Sequence, residues 1–347
     1  MNKMSMKVLI ISDAWHPQVN GVVRTYEYLE QEIKQMGHKV EIIGPADFAA
    51  NLPMPFYPEI KLVIRPYTRL KRLIRDFAPD RIHIATEGPL GWAARKYCLK
   101  NKISFSTSYH TQFPDYLAKR FAWLIPPLYN AVHRHAVKIV RNFHAPSSAI
   151  MVATKSLEIQ LLEWGFTAPI RRLTRGVDPD IFFPDNGTLF KDSKRPIALY
   201  VGRIAIEKNL NAFLGMPWEG TKVIVGDGPV RSELEKKHPN ALFVGKKKGK
   251  ELADYYRSSN VFVFPSKTDT FGIVLIEALA CGLPVAAYNV MGPKDIITDD
   301  AYGALEENDL HNAALRALKH TDKEKCAAYA LENYSWEIAG KQFIDAL

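Results

Sequence analysis

The most restrictive feature of this sequence is the segment 261–285, VFVFPSKTDTFGIVLIEALACGLPV, which predicts two buried strands joined by a loop and a helix. The run Val261–Phe264 is short, apolar and rich in β-formers, and Pro265 ends it. An apolar helix is predicted from about 271 until Gly282, and residues 283–287 predict the next strand. This order predicts parallel strands in an open sheet, which binds ligands at the carboxyl ends of its strands.

Two carboxylates lie at this predicted edge. Asp269 is in the loop, and Glu277 follows eight residues later in the helix. The start of a helix offers unpaired N–H groups and a positive dipole end, which together favour anions. The segment therefore offers amides for a phosphate and carboxylates for hydroxyl groups. From this segment alone, an equally good interpretation is that Asp269 caps the helix and Glu277 is a solvated surface residue.

The alternation of apolar runs and amphipathic stretches continues through the chain and predicts two α/β domains with doubly wound sheets. Residues 45–58 carry four prolines and are interpreted as a loop, and the polar segment 179–196 is interpreted as a linker. In the first half, strands are predicted at 7–12, 39–44, 61–64, 81–85, 104–109 and 142–147, and helices at about 22–36, 67–77, 88–100 and 147–164. In the second half, further strands are predicted at 197–201, from 222, and at 242–245.

Composition narrows the class of protein. The chain has 347 residues, a formal net charge of +9 and three cysteines without metal or disulfide spacing. No apolar run is long enough to span a bilayer, and the first residues do not form a signal peptide, so we expect a cytoplasmic protein. The charge suits an anionic partner, but no nucleic-acid-binding motif is present. The G-x-G-x-x-G fingerprint is missing after the first strand, which argues against a nicotinamide dehydrogenase.

Four further residues lie at predicted strand ends or helix starts. Arg203 and Lys208 follow the strand at 197–201 and leave the sheet at the same edge as Asp269, where two cations suit a diphosphate. Gly21 precedes a helix, where it either lets a ligand approach the backbone or only makes a turn. His110 follows the strand at 104–109, and a single histidine there is more often structural than functional.

Residues 113–143 interleave aromatic and basic side chains in the run FPDYLAKRFAWLIPPLYNAVHRHAVKIVRNF. This composition favours a segment in a membrane interface, with aromatic rings at headgroup depth and cations on lipid phosphates. The alternative is an ordinary helix pair packed on its own domain. The candidate membrane and acceptor residues are Tyr116, Lys119, Arg120 and Trp123.

Six motifs in order give the chain a family resemblance: PQVNGVVRT, YHTQFPDY, TRGVD, VGRIAIEKNL, VGDGP and TDTFGIVLIEALACGLPV. Together they resemble glycosyltransferase family 4, whose members are retaining enzymes of the GT-B fold. The resemblance implies two Rossmann-like domains that face each other across a cleft. We expect an acceptor-side domain at 1–188, a nucleotide-sugar domain at 189–325 and a C-terminal helix at 326–347 that returns to the first domain.

The resemblance also implies roles for the candidate residues. Arg203 and Lys208 match the pair that binds the diphosphate, and Glu277 matches the carboxylate that accepts from the ribose hydroxyls. Asp269 matches the residue that holds hydroxyls of the donor sugar, where the family usually has Glu. The remaining matches are Gly21 near the phosphates, His110 beside the reaction centre, and Gly226, Phe271, Gly272 and Ile273 around the nucleotide-sugar.

The expected function is retaining transfer of a hexose from a nucleotide-sugar, with a UDP-sugar favoured, to a membrane lipid such as diacylglycerol. No D-x-D motif or histidine cluster marks a metal, and no cofactor is expected. We expect peripheral contact with anionic lipid at the inner face of the cell membrane. The alternatives are a GDP-mannose-dependent mannosyltransferase, a non-catalytic protein that binds a sugar nucleotide, and a glycosidase that would use Asp269 and Glu277 as acid and base.

Overall fold

The computed structural model describes residues 5–18, 20–54, 57–110, 129–319 and 322–347, without the side chains of 53, 54 and 57–60. The chain divides into two compact units. The first unit is Met1–Thr174 with Ala339–Leu347, and the second is Arg175–Ile338. The boundary between the two units lies at Thr174, earlier in the chain than the boundary at 188 that the polar linker predicts. The last nine residues group with the first unit.

A six-stranded parallel sheet organises the first unit. The strands are β1 Lys7–Ile11, β2 Lys39–Ile43, β3 Asn51–Met54, β4 Tyr57–Val63, β5 Arg81–Ile84, β6 Ser106–Tyr109, β7 Ile150–Val152 and β8 Ile170–Arg172. The sheet order is β2-β1-β5-β6-β7-β8. The described helices are α1 Gly21–Gln35, α2 Tyr67–Phe77, α3 Pro89–Asn101, α4 Tyr129–His144 and α5 Lys155–Glu163.

Three predictions for this unit are wrong. Residues 51–54 form β3 rather than a loop, and β3 pairs with β4 in a separate antiparallel hairpin. Prolines are tolerated there because each strand of a two-stranded sheet is an edge strand. Residues 142–144 end helix α4 instead of starting a strand, since Ala136, Val140 and Phe143 are buried at helical spacing. The helix predicted from 147 begins only at Lys155, because residues 150–152 are a buried strand that pairs with β6.

The second unit repeats the architecture. Its strands are β9 Ile197–Val201, β10 Thr221–Val225, β11 Leu242–Gly245, β12 Val261–Phe264, β13 Val285–Tyr288 and β14 Gly303–Glu306. Its helices are α6 Leu210–Gly215, α7 Arg231–Lys237, α8 Gly249–Arg257, α9 Ile273–Ala280, α10 Pro293–Ile296, α11 Leu310–Lys319 and α12 Lys323–Asn333, and α13 Trp336–Asp345 ends the chain.

The strand order of this second sheet is β11-β10-β9-β12-β13-β14, and the recorded pairings are parallel. From β9 the chain adds β10 and β11 on one side of the sheet, and it then adds β12, β13 and β14 on the other side. The point between β9 and β12 is where the order reverses, and open α/β sheets bind ligands in the crevice at that point. The predicted β-loop-α-β segment is confirmed as β12, α9 and β13.

Burial explains why the apolar runs become strands and helices here. Each residue of β12 is buried, and so are Leu275, Ile276 and Leu279 of α9, which packs against α12. Removing one such side chain from water contributes about 1.5–3 kcal/mol. In the described ranges, no helix is long and apolar enough to cross a membrane.

Candidate functional site

The candidate site of the second unit is built by the loops that follow β9 and β12. The first loop carries Arg203 and a short 3₁₀ turn, Ile206–Lys208, and the second carries Asp269. The side-chain amide of Asn209 donates to the carbonyl of Pro265 at 3.1 Å and so ties the two loops together. The loops therefore meet at the point where the strand order reverses, as expected for a ligand site.

Lys208 and Asp269 form an ion pair at the centre of this site. Lys208 Nζ lies 2.5 Å from Asp269 Oδ1, and each side chain is 23% exposed. Asp269 Oδ2 is buried and has no hydrogen-bond partner among the described residues. Because a buried carboxylate oxygen is costly to leave unpaired, this atom is ready to accept from a ligand hydroxyl. Asp269 thus pairs with Lys208 of the other loop, and its side chain does not cap α9. Its interpretation as a helix cap is therefore wrong.

Arg203 borders the pair and is more open to solvent. Its Nη1 lies 4.0 Å from Glu207 Oε1, and its side chain is 47% exposed, so this ion pair is weak. Its backbone is fixed, since the Tyr200 hydroxyl donates to the Arg203 carbonyl at 2.9 Å. Burial, followed by the charges of Asp269 and Glu207, raises the pKa of Tyr200 and keeps this hydroxyl protonated as a donor.

The start of α9 leaves backbone groups available beside Asp269. Gly272 precedes the helix with φ 91°, a left-handed conformation that favours glycine, and no side chain of the described ranges caps it. Ile273 is the first helical residue. Phe271 is buried with its ring 5.8 Å from that of Tyr334, so only its backbone can serve a ligand. The three amides at this helix start could bind an anion, and their contact with a ligand phosphate stays a prediction.

Glu277 lies in the fifth position of α9 and is 2% exposed, so its interpretation as a solvated surface residue is wrong. The Tyr256 hydroxyl of α8 donates to Glu277 Oε2 at 3.0 Å. A buried carboxylate needs such a donor, because an unpaired one would cost several kcal/mol. Tyr256 was missed from the sequence, where it lies in an amphipathic helix with no sign of a polar partner.

Gly226 has a structural reason to be glycine. At φ 147°, a Cβ atom there would lie 1.8 Å from the Gly202 carbonyl oxygen, and its N–H donates to Gly245 at 2.9 Å. The residue therefore lets the ends of β9 and β10 come together. Its expected contact with a nucleotide-sugar stays a prediction.

In the first unit, Gly21 is the first residue of α1. The Asn20 side chain caps the helix by accepting from the N–H groups of Val22 and Val23, both at 3.0 Å. A Cβ atom at position 21 would meet nothing within 4 Å. The described structure does not itself require glycine there, which leaves close approach of a ligand as a reason for it.

His110 directly follows β6, as predicted, and is tied into a buried polar network. Its Nε2 lies 3.0 Å from the Tyr26 hydroxyl, which is also 2.9 Å from His83 Nε2. His83 is fully buried, and burial, followed by the charge of His144, lowers its pKa to about 3. Tyr26 and His83 were missed from the sequence, although a histidine inside the apolar run RIHI is a visible signal.

Asp13 occupies the corresponding helix start of the first unit. Its carboxylate accepts from the N–H groups of Leu90 and Gly91 at 2.8 and 3.2 Å and from the Thr86 hydroxyl at 3.0 Å. Burial raises its pKa to about 6 in spite of these donors. The chain's own carboxylate thus fills the start of α3, at the reversal point between β1 and β5. This residue was also missed, although it lies two positions after the first strand.

The predicted membrane residues Tyr116, Lys119, Arg120 and Trp123 lie outside the described residues. The described part of that segment is α4. A shallow pocket of about 240 Å³ lies between α4 and the end of α5, and it is lined by His133, Arg134, Val137, Lys138, Arg141 and Trp164. Its cations suit an anionic surface. Across the ranges that the structure covers, no group of three or more His, Cys, Asp or Glu side chains is arranged to hold a metal ion.

Comparison with known proteins gives the family. The model for glycosyltransferase family 4 matches residues 19–181, and the model for glycosyl transferases group 1 matches 185–333. The sulfoquinovosyl transferase SQD2 of Arabidopsis thaliana is 30% identical over 98% of this chain and 72% of its own length. A GDP-mannose-dependent alpha-mannosyltransferase of Mycobacterium tuberculosis is 32% identical over 86% of this chain and 83% of its own.

Other relatives and solved structures are glycosyltransferases as well. Alpha-monoglucosyldiacylglycerol synthase of Streptococcus pneumoniae is 27% identical over 99% of this chain and 86% of its own. Among solved structures, sucrose-phosphate synthase from Thermosynechococcus elongatus matches with a TM-score of 0.73 and 19% identity over 98% of both chains. At that identity the match shows the fold, which is GT-B. The chain therefore belongs to the GT-B glycosyltransferases built from family 4 and group 1 domains.

Proposed function

We propose that this glycosyltransferase moves a hexose, with retention of configuration, from a nucleoside diphosphate sugar to the hydroxyl of a membrane lipid such as diacylglycerol. The observation that carries the proposal is the Lys208–Asp269 pair at the reversal point of the second sheet. One loop supplies cations for a diphosphate and the other supplies a carboxylate for sugar hydroxyls. The two loops are tied together by Asn209 before any ligand binds.

We assign the donor to the second unit. Arg203 and Lys208 hold the two phosphates together with the amides of Phe271, Gly272 and Ile273. Asp269 Oδ2 accepts from a sugar hydroxyl, and Glu277, held by Tyr256, accepts from the ribose. Gly226 lies beside the nucleotide at the end of β10. For Gly21 and His110 of the first unit, we propose the roles that the family resemblance implies, near the phosphates and beside the reaction centre.

The chemistry follows from the charges that develop. The bond between the anomeric carbon and the phosphate oxygen breaks, and the acceptor oxygen forms the new bond on the same face of the sugar. The acceptor proton passes to the leaving phosphate oxygen. Arg203, Lys208 and the start of α9 stabilise the negative charge on that phosphate, as preorganised donors do. We propose that no metal is required, and a rate that is unchanged in EDTA would support this.

Two considerations favour a lipid acceptor and a UDP-sugar. The Streptococcus pneumoniae relative is named for a glucosylated diacylglycerol, and the cationic face of α4 suits anionic lipid headgroups. We therefore propose that the protein acts at the inner face of the cell membrane. The second candidate is GDP-mannose-dependent transfer to a lipid or a polysaccharide, which the name of the Mycobacterium tuberculosis relative favours.

Product analysis separates these proposals. The protein is incubated with diacylglycerol in anionic vesicles and, in turn, with UDP-glucose, UDP-galactose and GDP-mannose. We expect a glycolipid from a UDP-sugar, with the anomeric configuration of the donor retained by NMR. Lys208→Ala should reduce transfer at least tenfold, whereas Lys246→Ala, an equal charge change at an exposed lysine of the same unit, should not. Transfer from GDP-mannose alone would establish the second candidate, and binding without transfer would indicate a non-catalytic protein.

A further inference from the structure

The Lys208–Asp269 pair puts a fixed negative charge beside the place that we assign to a negatively charged ligand. Lys208 Nζ lies 2.5 Å from Asp269 Oδ1, and both side chains are exposed to the same small extent. The proposed function gives Lys208 to the diphosphate of the donor. Asp269 is then a neighbour of that diphosphate as well as of the sugar.

The packing around the pair holds Asp269 in this position. The side chain of Asn209, the residue after Lys208, donates to the carbonyl of Pro265 at 3.1 Å and ties the loop after β9 to the loop after β12. The backbone of Asp269 is closely packed as well, since a Cβ atom at Gly292 would lie 2.8 Å from its carbonyl oxygen. The carboxylate therefore has little room to move away when a phosphate binds.

The shape of the ammonium group sets the distance between the two negative charges. Lys208 has three N–H donors on one nitrogen, and one of them serves Asp269. A phosphate oxygen that accepts from a second donor would lie about 4–5 Å from Asp269 Oδ1, given ordinary hydrogen-bond lengths and tetrahedral angles. In a partly buried site, like charges at that distance repel each other appreciably.

The sugar is the part of the donor that can offset this repulsion. In the part of the chain that the structure describes, the buried Asp269 Oδ2 has no hydrogen-bond partner. Ionised phosphate oxygens accept hydrogen bonds and donate none, so a nucleoside diphosphate leaves this oxygen unpaired. A sugar hydroxyl does donate, and a hydrogen bond to a charged carboxylate is a strong one.

We propose that Asp269 is a specificity-determining residue that distinguishes the donor from the product of transfer. It binds the nucleoside diphosphate sugar through the sugar hydroxyls, and its charge repels the nucleoside diphosphate that remains after the sugar has left. The proposal rests on the proposed function for the place of the diphosphate at Lys208. It adds a second role for the charge of Asp269, which is to weaken product binding so that the spent nucleotide leaves the site.

Calorimetric titration in the absence of acceptor tests this proposal. The probes are UDP with UDP-glucose and UDP-galactose, and GDP with GDP-mannose. Asp269→Asn keeps the size of the side chain and removes its charge. We expect this variant to bind the nucleoside diphosphate about tenfold more tightly than the wild type and the matching nucleotide sugar about threefold more weakly. The opposite signs carry the test, because a site that is merely loosened would bind both ligands more weakly.

Glu207→Gln is the matched control. Glu207 lies in the same 3₁₀ turn as Lys208, but its side chain is 42% exposed and its Oε1 lies 4.0 Å from Arg203 Nη1. This variant removes the same charge from a weak, solvated ion pair, so diphosphate affinity should stay within about twofold of the wild type. A gain equal to that of Asp269→Asn would indicate a general effect of net charge and overturn the proposal, as would equal tightening of both ligands in Asp269→Asn.

The outcomes separate this proposal from the proposed function. If Lys208→Ala weakens diphosphate binding but Asp269→Asn leaves it unchanged or weakens it, the donor site stands and the proposal is overturned. If the wild type binds neither UDP nor GDP, the proposed function fails and this proposal fails with it. If Asp269→Asn does not fold, Asp269→Ser, which also removes the charge, decides by the same comparison.

Discussion

His83 should make the first unit sensitive to acid, and the size of the effect follows from its burial. The ring is fully buried and its pKa is lowered from 6.5 to about 3 by burial. A depressed histidine pKa means that the unfolded chain binds a proton more readily than the folded chain. The stabilisation is therefore fully present above pH 6.5 and is lost as the pH falls towards 3.

The magnitude can be worked from that shift. Each pH unit in the window costs about 1.4 kcal/mol, so lowering the pH from 6.5 to 5 removes about 2 kcal/mol, and the whole shift corresponds to roughly 5 kcal/mol. Other groups contribute too, including Asp13, whose pKa burial raises to about 6. A comparison of the wild type with His83→Gln cancels these shared contributions.

The assay is urea unfolding of the two proteins at several pH values from 7.5 to 4.5. His83→Gln should be less stable at pH 7.5, because its amide fits the Tyr26 and Ser106 hydroxyls less well. The difference in the free energy of unfolding between the wild type and His83→Gln should decrease by about 2 kcal/mol as the pH falls from 6.5 to 5. Parallel curves over this range would refute the reasoning, since they would mean that His83 has the same proton affinity in both states.

Three further predictions concern other parts of the molecule. Tyr256→Phe removes the hydroxyl that donates to the buried Glu277 Oε2, so we expect a loss of about 1.5–3 kcal/mol in the free energy of unfolding and weaker nucleotide binding by calorimetry. Gly226→Ala would place a methyl group 1.8 Å from a carbonyl oxygen and should lower the thermal midpoint sharply, whereas Gly21→Ala meets open space and should lower donor affinity at an unchanged midpoint. Phe343→Ala uncovers the buried ring of His83, and chemical denaturation should show a loss of about 3–5 kcal/mol.

Much of the sheet of the second unit was predictable because β9, β12 and β13 are buried throughout and stand out in the sequence as short apolar runs. β9, β11 and β12 have the predicted bounds. The hairpin β3–β4 was not predictable in the same way, because its prolines argue for a loop and only pairing with a neighbour makes them compatible with an edge strand. The end of α4 was missed since its polar residues hide a buried face of helical period.

The candidate site shows the same limit. Chain order and charge place Lys208 and Asp269 at one sheet edge, and the structure joins them. The partners of these residues come from elsewhere in the chain: Tyr256 reaches Glu277 from α8, and Tyr26 reaches His110 from α1. Such contacts depend on tertiary packing, so no local pattern of the sequence announces them.

The central claim is that Lys208 and its loop hold the diphosphate of the donor. Calorimetric titration of the wild type and Lys208→Ala with a nucleoside diphosphate, and then with the matching monophosphate, tests it most directly. The variant should bind the diphosphate at least tenfold more weakly, the cost of one charged contact, and the monophosphate within twofold of the wild type. Equal losses for both ligands, or no loss for the diphosphate, would contradict the assignment of this site.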